Sequence, residues 1–308
     1  MTVSVFIDGG AGTTGLEIRE RLAGRDDITQ IVIDEARRKD AAARAEALND
    51  ADFVILCLPD DAAREAVSLI RNGRTRVVDA STAHRTAPGW AYGFAELDPG
   101  QSERIAAARF VANPGCYPTG FLALVRPLVR AGVLPADARL GVNATSGYSG
   151  GGKAMIAEFE GGAGSAFRPY ALSLSHKHVP EMTVHAGLQH GPIFQPAVAS
   201  TYRGMVVEVP LHLAQFAAGT TPGDVDTILR EAYPAGGLVR VSHDEIATLS
   251  IEDDAGTDRM TLHLFSNPVT GQLRLIATLD NLGKGAGGAA VQNLNIMAGL
   301  DPLAGLVI

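Results

Sequence analysis

The stretch Val3-Ser4-Val5-Phe6-Ile7-Asp8-Gly9-Gly10-Ala11-Gly12-Thr13-Thr14-Gly15 decides how the rest of the chain is read. A short apolar run stops at a glycine pair, and helical spacing begins over residues 16–23. Gly10, Gly12 and Gly15 satisfy G-x-G-x-x-G, and Gly9, Gly12 and Gly15 satisfy G-x-x-G-x-x-G. Such glycines let backbone approach a pyrophosphate with no Cβ in the way, while the next helix aims its first N–H groups at the anion. By itself a glycine motif is only a tight turn. With a strand before it, a helix after it and further βα units downstream, it reads as a dinucleotide site. The candidate cofactor contacts are Gly9, Gly10, Ala11, Gly12, Thr13, Thr14 and Gly15.

Working outward, residues 30–34 predict a second strand and 41–48 a helix. Residues 52–58 (DFVILCL) form a continuous apolar run, as in a strand buried on both faces. Pro59-Asp60-Asp61 opens a helix over 62–71 with its acids in the first turn. Residues 76–79 and 109–111 are two more strands. This alternation implies right-handed βαβ units and a doubly wound parallel sheet. After about residue 115 the pattern changes to a helix at 118–130 and strands at 140–145, 205–213, 238–241, 260–265 and 272–279. Asn267-Pro268-Val269-Thr270-Gly271 is a hairpin turn between the last two. Residues 285–300 read as small residues followed by an amphipathic helix. The expected fold class is therefore α/β, a Rossmann sheet followed by a second α+β catalytic domain.

Composition narrows the function classes. With 46% apolar and 19% charged residues the chain is neither disordered nor a coiled coil. A net charge of -8 argues against nucleic acid or an anionic membrane as partner. Two cysteines in 308 residues make no disulfide framework, so a reducing compartment is expected. The start, MTVSVFIDGG, lacks the basic flank of a signal peptide, and no apolar run reaches the ~18 residues of a membrane span.

Cofactor choice is read just after the second strand. Asp34 and Glu35 suit a ribose 2′-hydroxyl, whereas Arg37, Arg38 and Lys39 suit a 2′-phosphate; the charge count favours NADP. Asn113-Pro114-Gly115-Cys116-Tyr117-Pro118 places Cys116 at or beside a helix start, where N–H groups and dipole lower a thiol pKa and can hold an oxyanion. Cys57, inside the apolar run, reads as core. His176-Lys177-His178-Val179-Pro180-Glu181 supplies two candidate bases for a thiol, with Glu181 as an orienting carboxylate. The His-x-His pair has no third ligand at useful spacing, so no metal is expected. Arg85 closes the run Asp79-Ala80-Ser81-Thr82-Ala83-His84-Arg85 at a strand end and can grip a phosphate or carboxylate. Ser146-Gly147-Tyr148-Ser149-Gly150-Gly151-Gly152-Lys153 is a second glycine loop with hydroxyls and a lysine. Arg168 divides between a substrate carboxylate and a structural role.

Six motifs, in order along essentially the whole chain, resemble the shorter form of the N-acetyl-gamma-glutamyl-phosphate reductase family. They are the Asp8–Gly15, Asp79–Arg85, Asn113–Thr119, Ser146–Lys153 and His176–Glu181 stretches and Asn281-Leu282-Gly283-Lys284-Gly285-Ala286. The resemblance implies an arginine-biosynthetic enzyme that reduces N-acetyl-L-glutamyl 5-phosphate to N-acetyl-L-glutamate 5-semialdehyde with NADPH, releasing phosphate. It implies an aspartate-semialdehyde-dehydrogenase-like fold. Residues 1–115 plus the C-terminal helix 285–308 would form the NADP domain, and 116–284 the catalytic and dimerisation domain. The implied nucleophile is Cys116, with His176 and His178 as the acid/base region. Pro59, Ser81, Gly150 and Asn281 join the cofactor contacts; Arg85, Ser149, Lys153 and Arg168 are the substrate and phosphate contacts. A cytoplasmic homo-oligomer, dimer or tetramer, is expected. The alternatives are another acyl-phosphate reductase, such as aspartate-semialdehyde dehydrogenase, and a nucleotide-binding sensor without catalysis.

Overall fold

The computed structural model describes residues 2–37 and 40–308. The chain divides into two compact units. One comprises Met1–Ala95, Gly100–Pro114 and Ala286–Leu306; the other comprises Glu96–Pro99, Gly115–Gly285 and Val307–Ile308.

The first unit alternates strand and helix: β1 (Val3–Asp8), α1 (Thr13–Leu22), β2 (Ile28–Ile31), α2 (Ala41–Asp50), β3 (Phe53–Leu56), α3 (Asp60–Leu69), β4 (Arg76–Asp79), β5 (Ala91–Tyr92), α4 (Gln101–Ala107) and β6 (Phe110–Ala112). The strands pair in parallel in the order β2-β1-β3-β4-β6-β5. Both faces are covered, which is why the strands read as unbroken apolar runs. On one face Val5, Ile55 and Val78 pack with Ile18 and Leu22 of α1 and with Val291 and Leu294 of the C-terminal helix, Gly288–Ala298. On the other, Phe6, Val54, Leu56 and Val77 pack with Ala47 and Leu48 of α2 and Ala63 and Ala66 of α3.

Two expectations change here. The second strand ends at Ile31 and gives way to a 3-10 turn, Glu35–Arg37, because the Asp34 carboxylate accepts from the Ala36 N–H and competes with the ladder. The C-terminal helix is not amphipathic in use, since every residue from Gly288 to Met297 is buried. Two of its asparagine amides donate to groups within the same unit. Asn293 Nδ2 donates to Gly93 O and to Asn113 Oδ1, and Asn295 Nδ2 donates to the carbonyls of Pro302 and Ala304.

The second unit contains α5 (Cys116–Arg130), β7 (Gly141–Gly147), α6 (Gly152–Glu160), β8 (Phe167–Pro169), α7 (His178–Ala186), β9 (Ile193–Ala199), β10 (Met205–His212), α8 (Pro222–Ala232), β11 (Val239–Val241), β12 (Met260–Asn267) and β13 (Gln272–Leu279). Its mixed sheet runs β11-β12-β13-β10-β7-β9-β8. The hairpin β12–β13 is antiparallel across eight paired positions from Met260↔Leu279 to Asn267↔Gln272, as the turn sequence predicts. The unit holds more helix than its run of strands suggests. Thr221 caps α8 in a capping box with Asp224, with Pro222 at the helix start, a local signal that marks this helix in the sequence.

Helix α5 organises this unit. Phe121, Leu122, Leu124 and Leu128 are fully buried, and the helix lies on β10 and β13. The approach is close because residue 120 is glycine: a Cβ there would lie 2.8 Å from Val207 Cγ2. Gly120→Val is expected to lower the unfolding free energy by about 1–3 kcal/mol through overpacking, measured by urea denaturation.

Candidate active site

In the first unit the glycine loop is tight for a backbone reason. Gly9 has φ +85°, and a Cβ there would fall 2.3 Å from Cys57 O. A Cβ on Gly15 would fall 2.7 Å from Gly9 O and from Gly10 Cα. The Gly12 N–H donates to Gly9 O at 2.9 Å, closing the turn. Gly12 is the N-cap of α1, with no side-chain cap and no acid in the first turn. A bare helix N-terminus behind side-chain-free backbone fits a dinucleotide pyrophosphate.

The neighbouring strand ends are locked together. Pro59 is the N-cap of α3, and the carboxylate of Asp60 accepts from Thr82 N and Oγ1 at 2.9 and 2.8 Å. Asp79 is wholly buried and accepts from Ser81 N, Ser81 Oγ and the His84 ring, with His84 Nδ1 2.6 Å from Oδ2. The Ser81 hydroxyl also accepts from Ala83 N, so its side chain serves the loop. The His84 ring stacks on Trp90 at 4.0 Å. Arg85 donates to the carbonyls of Asn113 and Ala80, bracing the segment that leads to Pro114. Arg37 is exposed and lies 3.6 Å from Asp40 and 3.8 Å from Glu46; Arg38 and Lys39 lie outside the described residues. Burial pushes the Cys57 thiol up to about 12, with the Asp79 and Asp8 charges adding to it, so this cysteine is inert.

In the second unit Cys116 is the first residue of α5, two residues earlier than Pro118 alone suggests, with Gly115 as N-cap. Glu181, only 1% exposed, accepts from the Gly115 N–H at 2.8 Å. Its carboxylate therefore braces the turn that carries the thiol. Helix α7 packs along α5 and begins at His178. His176 Nδ1 accepts from the His178 N–H at 3.1 Å, so a neutral His176 carries its proton on Nε2. Burial, and secondarily the Lys177 charge, hold the His176 pKa below the usual imidazole value. The two rings meet edge-on at 4.7 Å.

Two tyrosines that carry no local signal in the sequence line the imidazoles. Tyr117 lies 5.9 Å from His178 and 6.5 Å from His176, and Tyr170 lies 5.9 Å from His176. Tyr170 Oη donates to Tyr117 Oη at 3.3 Å, and Tyr117 Oη donates to Ala197 O at 3.1 Å. Burial drives the Tyr170 phenol up to about 12; the hydrogen bond with Tyr117 works against the rise and the Cys116 charge adds to it. Both phenols stay protonated and in electrostatic reach of the sulfur.

The second glycine loop is a 3-10 turn, Tyr148–Gly151, running into α6. Ser149, Gly150 and Asn281 converge there. Asn281 Nδ2 donates to Ser149 Oγ at 2.9 Å, Asn281 Oδ1 accepts from Gly204 N at 3.0 Å, and a Cβ on Gly150 would lie 3.5 Å from Asn281 Nδ2. Lys153 is exposed in the first turn of α6. Arg168 is engaged elsewhere: it donates to Glu158 at 2.6 and 3.4 Å and covers the Phe159 ring.

Known proteins supply the context. Residues 116–281 match the family model described as semialdehyde dehydrogenase, dimerisation domain, and residues 26–105 match semialdehyde dehydrogenase, NAD binding domain. The N-acetyl-gamma-glutamyl-phosphate reductase of Brucella ovis is 52% identical over 310 residues, covering 97% of this chain and 100% of its own. That of Mesorhizobium japonicum is 51% identical over 308 residues, with 97% and 100% covered. The chain belongs to the N-acetyl-gamma-glutamyl-phosphate reductase family. Its fold matches aspartate semialdehyde dehydrogenase II of Vibrio cholerae complexed with ASA (TM-score 0.74, 15% identity, 97% of this chain and 98% of that one). It also matches the Candida albicans aspartate semialdehyde dehydrogenase with NADP (TM-score 0.67, 14% identity, 97% and 99%). The brace from Glu181 is checked directly: Glu181→Leu strands the buried Gly115 N–H and is expected to lower stability by about 1–3 kcal/mol, while Glu181→Gln, which keeps an acceptor, loses less, both read from urea unfolding.

Proposed function

We propose that this chain reduces N-acetyl-L-glutamyl 5-phosphate to N-acetyl-L-glutamate 5-semialdehyde with NADPH and releases inorganic phosphate. The observation that carries this reading is a thiol at the first position of α5, next to Tyr117 whose ring meets His176 and His178, in a chain 52% identical to a reductase of that name. Gly9 through Gly15, with Ala11, Thr13 and Thr14, cradle the cofactor pyrophosphate, and Pro59, Ser81, Gly150 and Asn281 are the further cofactor contacts. Arg37 and Arg38 select the 2′-phosphate.

When bound, NADPH supplies the hydride for the acyl carbon. The remaining chemistry belongs to the protein. Helix α5 stabilises the Cys116 thiolate, and an imidazole of the pair takes the thiol proton. The thiolate attacks the acyl carbon, the carbon–oxygen bond to phosphate breaks, and a thioester remains on the sulfur. N–H groups at the start of α5 hold the developing oxyanion. After reduction the carbon–sulfur bond breaks, the semialdehyde leaves, and the imidazolium returns its proton to the sulfur. We assign the thiol proton to His178, because a neutral His176 already carries a proton on Nε2 and its Nδ1 accepts from the His178 N–H. His176 and Glu181 hold the turn in register.

Lys153, exposed beside Ser149, is the contact for the substrate's anionic groups. Arg85 and Arg168, already engaged with Asn113 and Glu158, shape the loops that carry those contacts. Charge, composition and the absence of a helix long and apolar enough to cross a membrane among the described residues fit a cytoplasmic enzyme acting on small molecules. The second unit is the proposed subunit interface of a homo-oligomer, dimer or tetramer.

Phosphate-dependent NADP reduction tests the reading. N-acetylglutamate semialdehyde is expected to support it and aspartate semialdehyde to be a poor substrate; the reverse order would move the chain to the other acyl-phosphate reductase. Cys116→Ser should abolish turnover while NADPH still binds, and retained turnover would sink the thioester route. His178→Asn should cost most of kcat/KM in the semialdehyde-oxidising direction and His176→Asn less; the reverse order would make His176 the proton carrier.

A further inference from the structure

Lys284 is a buried ammonium, 1% exposed, and both carboxylate oxygens of Glu96 lie on its Nζ at 2.9 and 2.7 Å. The Glu96 side chain is 20% exposed, and largely buried pairs of this kind are weak stabilisers. Taking two charges out of water costs about as much as their attraction returns, and well-packed apolar residues often do as well or better. Stability alone does not explain the pair; its location does.

Lys284 sits inside the π-helical turn Gly283–Gly287, a rare wide winding that is frequent at functional sites. The same turn carries Gly285, which lies directly against the thiol-bearing residue. A Cβ built on Gly285 would fall 2.9 Å from Cys116 Cβ and 3.4 Å from Cys116 Cα. The entry to the turn is held by Asp280. Its Oδ1 accepts from the N–H groups of Leu282 and Gly283 at 2.7 and 3.0 Å, and its carbonyl accepts from Gly285 N at 2.9 Å. Gly283 is wedged on Thr257 O, 2.1 Å from where its Cβ would be. Next to Gly285 the side-chain anchor is the ion pair to Glu96, a residue 188 positions away in sequence.

We propose that Glu96 and Lys284 are positioning residues for Cys116, holding the π-helical turn as the wall against which the thiol is aimed. They touch neither substrate nor cofactor in this role. They act through Gly285, and the inference rests on Cys116 being the reacting thiol.

The experiment compares wild type, Lys284→Met and the double variant Lys284→Met/Glu96→Leu in the full-length protein. The double variant removes both charges of the pair, so it remains informative where Lys284→Met alone fails to fold. Four quantities are read: the unfolding midpoint, the rate of Cys116 alkylation by iodoacetamide, kcat, and the KM for NADPH. The double variant is expected to keep its midpoint within about 3 °C of wild type. Its alkylation rate and kcat should fall about 10- to 100-fold, with the KM for NADPH within about twofold. A double variant that alkylates and turns over at the wild-type rate overturns the proposal. So does one whose losses appear only as its midpoint falls to the assay temperature, since the pair would then be structural. If wild type itself shows no reductase turnover, the functional reading fails, while the alkylation comparison still decides this one.

Discussion

The hydrogen bond from the Gly115 N–H to the buried Glu181 carboxylate is the constraint around which the second unit is arranged. It fixes where α5 begins, and therefore that Cys116 occupies the helix's first position, where N–H groups and dipole favour a thiolate. It also ties α5 to α7, whose first residue is His178. Because α5 is seated on β10 through the gap left at Gly120, a small displacement of that turn would have to move a helix packed into the sheet. The thiol is held by the core rather than by a loop.

Glycine serves three physical purposes, one in the first unit and two in the second. At Gly9 and Gly15 it removes side chains from backbone that must stay bare for an anion. At Gly120 it lets a helix approach a strand. At Gly285 it lets one backbone turn lie against the Cβ of another residue. Around these gaps four carboxylates are committed. Asp79 holds Ser81 and His84, Asp280 holds Leu282 and Gly283, Glu181 holds Gly115, and Glu96 holds Lys284. Buried charge at this density is costly, and it recurs where backbone has to be held in one shape.

What could be read from the sequence was local. The run 52–58, the hairpin turn at 267–271 and the strand–glycine–helix opening carry period and turn chemistry that survive in the fold. Cys116 was legible because Gly115 and Pro118 mark a helix start, although the helix begins earlier than the proline indicates. The C-terminal helix was misjudged. Its polar residues look like a solvent face, but Asn293 and Asn295 spend their amides on Gly93, Asn113, Pro302 and Ala304. Arg168 looked like a candidate for a substrate carboxylate, but Glu158, ten residues away on α6, holds it.

The sequence by itself determined a dinucleotide-binding parallel sheet, a helix-terminal cysteine, an imidazole pair and a family, because each is written in residues close together along the chain. Only the tertiary structure decided what joins them. Tyr170 reaches Tyr117 across 53 positions, Glu181 reaches Gly115 across 66, Asn281 reaches Ser149 across 132 and Lys284 reaches Glu96 across 188. Spacing along a chain fixes which way a side chain points within its own element; which distant group it meets depends on how the elements pack.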